Sequence, residues 1–317
     1  MGVKMRVNLY DAKVVKLIRV LALNIVFTLS IILYGVSSYA TENGGTESPL
    51  GAEGVMAGAL PPPGLYLINY LEYYSTNRLN DKDGNKEPLD FHVNVTANVD
   101  RLVYMDGLKF LGADHGMFIL VPLINIGGTL GGTPAGLLGN TKFGFGDIDI
   151  DPFLLAWHGK NWHAAVGVDT YLPVGEYNKT RLFNPGRNYF TIEPVFTWTL
   201  LSDQGLELST KMMYNFNTEN HATQYTSGQE FCFDYAAAYH MGQWTMGATG
   251  YFYEQVTNDH GGNAAANDGN KGQVFAMGPT LKYANKNMSL ELKYQHEMLV
   301  ENRPQGNNFW AKIIWDF

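Results

Sequence analysis

Three aspartates alternate with isoleucine in the stretch DIDID, at Asp147, Asp149 and Asp151. Their spacing matches the first ligand positions of a calcium-binding loop, but Pro152 stands where that loop needs a glycine and His158 where it needs a bidentate glutamate. On a β-strand, residues two apart share a face, so the three carboxylates would form an acidic ladder on an interior or rim surface. The pattern predicts such a ladder, with weak cation binding as the alternative, and no specific metal site.

The other candidates for chemistry are isolated side chains. Cys232 is the single cysteine, which excludes an intramolecular disulfide and a Cys-rich metal site. The sequence contains no His-x-Ser pair that could place a base beside a nucleophile on one strand face. The glycine-rich stretch 127–142 lacks the GK[ST] element of a phosphate-binding loop, and we interpret it as an external loop. We therefore expect no catalytic residues and no cofactor.

Charge and the first forty residues bound the class of protein. The chain has 22 basic and 30 acidic residues without a basic run, which argues against nucleic-acid binding. Residues 1–40 contain a basic leader, the mostly apolar stretch VLALNIVFTLSIILY and the small residues Ser38 and Ala40 at cleavage-site spacing. This order is typical of a secretory signal peptide cleaved before Thr41, with an uncleaved anchor as the alternative. The sequence thus predicts an acidic exported protein.

Apolar and polar residues alternate through the rest of the chain. The alternation is plainest in FHVNVTANV, YFTIEPVFTWTL and SLELKYQHEM, and no apolar run there is long enough for a spanning helix. Such stretches lie at 65–75, 90–104, 116–127, 143–157, 162–172, 188–201, 205–217, 229–241, 244–256, 272–283, 288–300 and 308–317. Twelve strands of this length predict an all-β fold, a transmembrane antiparallel β-barrel, because a sheet in hydrocarbon must have no unpaired edge.

The connections between these strands alternate in length, as in a barrel with short periplasmic turns and long external loops. Short turns at 158–161, 202–205, 241–243 and 284–287 alternate with longer loops, and the stretch 105–116 is a long exception on the short-turn side. Five of the six tryptophans lie beside the short turns or the C-terminus, which favours a membrane interface there: Trp157, Trp162, Trp198, Trp244 and Trp315. The final residue, Phe317, resembles the assembly signal of outer-membrane barrels.

The barrel interior should be polar if the apolar faces meet lipid. The lumen-lining candidates are Asp147, Asp149, Asp169, Glu193, Lys211, Asp234, Glu291 and Lys293, and the same parity turns Asp100, Glu207 and Glu297 inward. These side chains either pair and fill a narrow lumen or line a path for a solute. Residues 41–63 are expected to enter the mouth of the barrel, residues 64–317, from the periplasmic side as a partial plug, with a disordered linker as the alternative.

Several strings in order carry a family resemblance, among them LPPPGLY (60–66), FGFGDIDIDP (143–152), YLPVGEYN (171–178) and KYQHEMLVENRPQG (293–306). They resemble the phenol-degradation meta-pathway outer-membrane family, also called SphA-like, over nearly the whole chain after residue 40. The resemblance implies a channel-like barrel of a Gram-negative outer membrane that passively admits small hydrophobic or aromatic compounds. The expected partners are the outer-membrane lipid bilayer, a small-molecule solute and, through Phe317, the barrel-assembly machinery.

Two other functions stay open at this point. A non-transporting structural or adhesive barrel could use the long polar loops to bind external partners. A lipid-modifying outer-membrane enzyme is less favoured, because it needs a serine activated by a histidine, and none of the eight histidines has an evident nucleophile partner.

Overall fold

The computed structural model describes residues 42–133, 136–261 and 271–316. The predicted signal peptide, residues 1–40, and Phe317 lie outside the described residues. A short 3-10 turn at Glu42–Gly44 precedes the strands. The strands are β1 (Gly64–Thr76), β2 (Asp90–Phe110), β3 (Ala113–Thr133), β4 (Gly136–Phe145), β5 (Ile148–His158), β6 (Trp162–Leu172), β7 (Thr191–Leu201), β8 (Leu206–Asn217), β9 (Glu219–Asn220), β10 (Tyr225–Thr226), β11 (Glu230–Met241), β12 (Trp244–Gln255), β13 (His260–Gly261), β14 (Gln273–Ala284), β15 (Met288–Glu301) and β16 (Asn307–Asp316).

The long strands form a closed antiparallel barrel. Each pairs with its neighbours in the chain, and β16 pairs with β1, so the sheet has no free edge. Strands β4 and β5 pair in succession with β3 and act as one interrupted strand, which makes twelve positions around the wall. The short strands β9, β10 and β13 form a separate three-stranded sheet. The twelve-stranded antiparallel barrel predicted from the alternation is therefore confirmed.

The strand ends define two rims. The periplasmic rim carries the short turns between β2 and β3, β5 and β6, β7 and β8, β11 and β12, and β14 and β15. The outer rim carries the longer connections, including the loop 173–190 and the sheet of β9, β10 and β13. We use these two names below, following the rule that long loops of such barrels face outward.

Two connections differ from the expected loops because backbone pairing continues through them. The stretch 105–116 is the end of the β2–β3 hairpin: a bulge follows Met105, pairing resumes, and Leu111 and Gly112 turn the chain with positive φ angles of 51° and 79°. The expected external loop 127–142 is largely a hairpin of β3 and β4, paired from Leu123 with Phe145 to Leu130 with Leu138. Sheet pairing uses only the main chain, so glycine-rich sequence does not prevent it.

Large apolar side chains are exposed around the outside of the wall. They include Leu71, Leu102, Phe153, Phe196, Leu208, Met246, Leu281 and Phe309. An apolar surface of this extent is stable in lipid and not in water, so the closed barrel is an outer-membrane protein. Among the described residues, no helix is long and apolar enough to cross a bilayer.

Strand β2 is turned the other way from the expectation. Its apolar residues Phe91, Val93, Ala97 and Val99 are buried, whereas His92, Thr96 and Asp100 are exposed. The inward placement predicted for Asp100 is wrong: its carboxylate accepts a hydrogen bond from Asn69 Nδ2 at 2.8 Å on the exposed face. The physical reason lies inside, where Ala97 and Val99 pack with Tyr70, Trp310 and Ala52 and therefore require an apolar inner wall.

Candidate functional site in the barrel lumen

Residues 42–63, called the lumen segment below, run through the barrel from one rim to the other. At the outer rim, Glu42 Oε2 accepts a hydrogen bond from Asn220 Nδ2 at 2.8 Å. Near the periplasmic rim, the Gly58 N–H donates to Thr199 Oγ1 at 2.9 Å, and Pro61–Pro63 lead into β1. The segment thus contacts both ends of the lumen, whereas the sequence had suggested the periplasmic mouth alone.

Glu53 joins the lumen segment to three strands of the wall. Its Oε1 accepts hydrogen bonds from the Tyr70 hydroxyl at 2.8 Å and from Arg101 Nη1 at 3.1 Å. Lys312 Nζ pairs with the other carboxylate oxygen. The Glu53 and Lys312 side chains are only 11% and 7% exposed, so these charge-assisted bonds form where little water competes.

The backbone of the lumen segment binds two further wall charges. The Asp234 carboxylate accepts hydrogen bonds from the N–H groups of Gly51 at 2.7 Å and Glu53 at 2.9 Å. Lys293 Nζ donates to the carbonyl oxygens of Gly51 at 2.7 Å, Ala52 at 2.6 Å and Glu53 at 3.1 Å. An inward carboxylate and an inward ammonium are therefore satisfied by main chain rather than by each other.

A third cluster lies among the strands beside the segment. Lys211 Nζ forms ion pairs with Asp169 at 3.3 Å and with Glu193 at 3.8 Å. Glu193 also accepts a hydrogen bond from the hydroxyl of Ser48 in the lumen segment. This cluster carries one cation and two carboxylates inside the wall, and the segment supplies one of its hydrogen-bond donors.

All eight lumen-lining candidates are buried, but the structure does not bring them into one site. Asp169, Glu193 and Lys211 form the cluster just described, and Asp234 and Lys293 bind the segment backbone. Glu291 accepts hydrogen bonds from Thr280 Oγ1 at 3.0 Å and the Val55 N–H at 3.4 Å. Asp149 accepts one from the Thr170 N–H at 3.1 Å.

Asp147 has a different role from the other candidates. It lies between β4 and β5, and its carboxylate accepts hydrogen bonds from the Gly175 N–H at 2.8 Å and the Arg187 N–H at 2.5 Å. Asp147 therefore holds the loop 173–190 at the outer rim. In the part of the chain that the structure describes, no group of three or more His, Cys, Asp or Glu side chains could hold a metal ion.

The sequence analysis missed several inward cations. Lys312 alternates with outward Phe309, Ala311 and Ile313, so the parity rule already contained the signal for its inward position. Arg101 could not be found in this way, because the parity of β2 was assigned to the wrong face. Its guanidinium also stacks on the Phe118 ring, 3.7 Å from the centroid.

Two cavities remain beside the lumen segment. One of about 20 Å³ has Glu53, Arg101 and Lys211 among its lining residues and is large enough for about one water molecule. The other, about 160 Å³, lies against residues 53–61 of the segment and is called the lower cavity below. Its lining combines apolar side chains with four cations, Arg101, Lys211, Lys282 and Lys312.

A buried carboxylate fastens the loops at the outer rim. Asp259 accepts hydrogen bonds from the Gly228 N–H at 2.6 Å, from Gln255 Nε2 at 3.1 Å and from the Tyr225 hydroxyl. Burial, together with the nearby charge of Glu42, raises the pKa of Asp259 to about 8, although the Gly228 bond opposes the rise. The contact between β10 and the loop of Asp259 therefore depends on a proton.

The comparisons with known proteins agree with the observed fold. The family described as "Putative MetA-pathway of phenol degradation" matches residues 76–313. No curated protein matches the sequence.

Three solved structures illustrate the likeness in fold. The COG4313 outer membrane channel from Pseudomonas putida F1 is 14% identical with a TM-score of 0.66, over 82% of this chain and 98% of that one. The NanC porin is 12% identical with a TM-score of 0.43, over 79% and 100%. The β domain of the Bordetella autotransporter BrkA is 12% identical with a TM-score of 0.45, over 81% and 100%. At these identities the likeness concerns the fold alone.

Proposed function

The chain belongs to the family described as "Putative MetA-pathway of phenol degradation", and from that membership we propose an outer-membrane channel for passive uptake of small hydrophobic or aromatic compounds. The lower cavity is the observation that carries the proposal. A barrel built only for structure has no need of an apolar space of about 160 Å³ beside its internal segment. That P. putida protein, similar in fold, is described as a channel, which supports the same function.

We propose further that the lumen segment holds this channel closed. The segment fills the lumen from the Asn220 contact to the Thr199 contact, so a solute must pass where it lies. Its attachment is polar, and water can replace polar bonds one by one when the segment moves. The bonds to Glu53, Asp234 and Lys293 define the closed state.

A reversible covalent lock tests this function. Ser48 Oγ lies 3.9 Å from Cys232 Sγ, and Cys232 is the single cysteine of the chain. The variant Ser48→Cys should therefore form a disulfide that ties the lumen segment to β11. We expect single-channel current in planar bilayers to fall to the background under oxidation and to return with a thiol reductant.

The control variant Ser48→Cys/Cys232→Ser should respond to neither treatment. For the wild-type protein, added phenol should interrupt the ion current and glucose of equal concentration should not. A fully oxidised Ser48→Cys variant with wild-type current would show that the segment does not close the channel. Absence of current in the wild type under all conditions would instead favour the structural or adhesive barrel, for which the filled lumen is the supporting observation.

A further inference from the structure

We propose that the lower cavity binds a monoaromatic carboxylate, with the carboxylate group on Lys282 Nζ. This inference deepens the proposed function, on which it rests, by adding a charge to the solute. It is carried by the size of the cavity, by its apolar lining and by the pairing of its cations.

The size of the cavity suits one aromatic ring. An engineered apolar protein cavity of about 150 Å³ binds benzene, and the lower cavity has about 160 Å³. Leu60 and Val55 of the lumen segment and Ile68, Val103 and Leu154 of the wall line it. A ring placed there would lose its water shell against hydrocarbon on both sides, which is the main source of binding free energy for such a solute.

Three of the four lining cations already have carboxylate partners. Arg101 and Lys312 both bind Glu53, and Lys211 binds Asp169 and Glu193. These bonds occupy the acidic side chains that line the cavity, Glu53 and Asp169. An anionic solute would therefore compete with existing pairs at three of the four positions.

Lys282 is the exception among the four. Within the described residues it has no hydrogen bond and no ion pair, although it lies opposite Glu291 in the pairing of β14 with β15. Glu291 Oε1 is instead used by Thr280 and the Val55 backbone. An ammonium group that is half-buried beside apolar side chains gains most from an anion supplied by a ligand.

The charge pattern discriminates between solutes of similar shape. A neutral phenol fits the space but leaves Lys282 without an anion. A dianion would bring its second charge toward Glu53 or Asp169, which repel it. A single carboxylate attached to one ring satisfies both the apolar lining and the unpaired ammonium.

Equilibrium binding to the refolded full-length protein in detergent micelles tests this proposal. The probes are 4-fluorobenzoate and 4-fluorobenzamide, which have nearly the same shape and differ in charge, and binding is followed by fluorine NMR. Wild-type protein should bind the benzoate about tenfold more tightly than the benzamide, the typical effect of one buried charge-assisted hydrogen bond. Lys282→Met should remove that preference and leave benzamide binding unchanged.

The matched control is Lys286→Met, an exposed lysine of the same β14–β15 hairpin that lies in its turn. It should leave both affinities at the wild-type value, and empty micelles should give no saturable binding. Melting curves of the three proteins establish that each variant is folded. Equal benzoate affinity in the wild type and Lys282→Met overturns the inference, as does the absence of benzoate binding in the wild type.

Failure of this inference can be told from failure of the proposed function. Equal affinity for benzoate and benzamide, together with a current that the Ser48–Cys232 disulfide controls, overturns only the charge preference. Benzoate binding that depends on Lys282, in a protein without current, supports the binding site and overturns the channel.

Discussion

Neutralising Glu53 should open the channel. The variant Glu53→Gln keeps the shape of the side chain but removes the charge that binds Arg101 and Lys312. Both cations would then be buried without their carboxylate, and breaking such a pair typically costs about 3 kcal/mol or more. Because Glu53 belongs to the lumen segment, that cost falls on the closed state.

A loss of about 3 kcal/mol from the closed state corresponds to roughly a hundredfold rise in the ratio of open to closed channels. Single-channel recording in planar bilayers measures that ratio directly. Glu219→Gln, at an exposed position of β9 on the outer rim, is the matched control and should behave as the wild type. An open fraction of Glu53→Gln within twofold of the wild type would refute the reasoning.

A double-mutant cycle separates the Glu53–Lys312 pair from other effects of the substitution. Lys312→Met alone should also raise the open fraction, since it leaves Glu53 with Arg101 and Tyr70 only. If the pair acts as a unit, the double variant Glu53→Gln/Lys312→Met should open less than the sum of the two single effects predicts. Strict additivity would show that the two side chains do not interact in the closed state.

Three further predictions concern other parts of the barrel. Burial raises the pKa of Asp259 from its ordinary value of 3.8 to about 8, so the outer-rim contact is fully stable below about pH 4 and weakens up to about pH 8; hydrogen exchange in residues 225–228 should rise over that window in the wild type and not in Asp259→Asn. Gly58→Ala should displace the segment and raise the current, because a Cβ there would lie 2.7 Å from the Trp198 carbonyl carbon, and a wild-type current would contradict this contact. Asp100→Leu should raise the free energy of unfolding in lipid vesicles by about 1 kcal/mol, since the carboxylate bound to Asn69 faces outward, and a decrease would show that it is satisfied by a partner.

The strands of the barrel could be predicted from the sequence because alternation records the difference between lipid and lumen at every second residue. β6 is observed at Trp162–Leu172, as expected, and β8 at Leu206–Asn217 begins one residue later than expected. The rule failed on β2, where both faces contain residues that either environment accepts. Asn98 and Thr96 stand outside while Ala97 and Val99 meet the lumen segment, and only the position of that segment decides between the two.

The candidate site was predictable in type but not in arrangement. Parity identified Lys211, Asp234 and Lys293 as candidates that the structure buries, because charge on the lipid face is costly. It could not show which of them pair with one another and which bind the segment, since such contacts join residues far apart in the chain. Lys293, for example, binds Gly51, more than 200 residues away.

The composition of the lumen segment explains how an apolar stretch can occupy an ionic lumen. In GAEGVMAGA the side chains are mostly small, so the main chain approaches the wall closely enough for Asp234 and Lys293 to bind its N–H and carbonyl groups directly. A peptide group buried without such partners would cost several kcal/mol, and so would either wall charge, so each satisfies the other. When the segment leaves, water can satisfy both sides, and the net cost of opening is then far smaller than the sum of the bonds broken. Glu53 differs from these backbone contacts because its departure leaves two cations without a fixed partner, which is why that one side chain should govern the equilibrium.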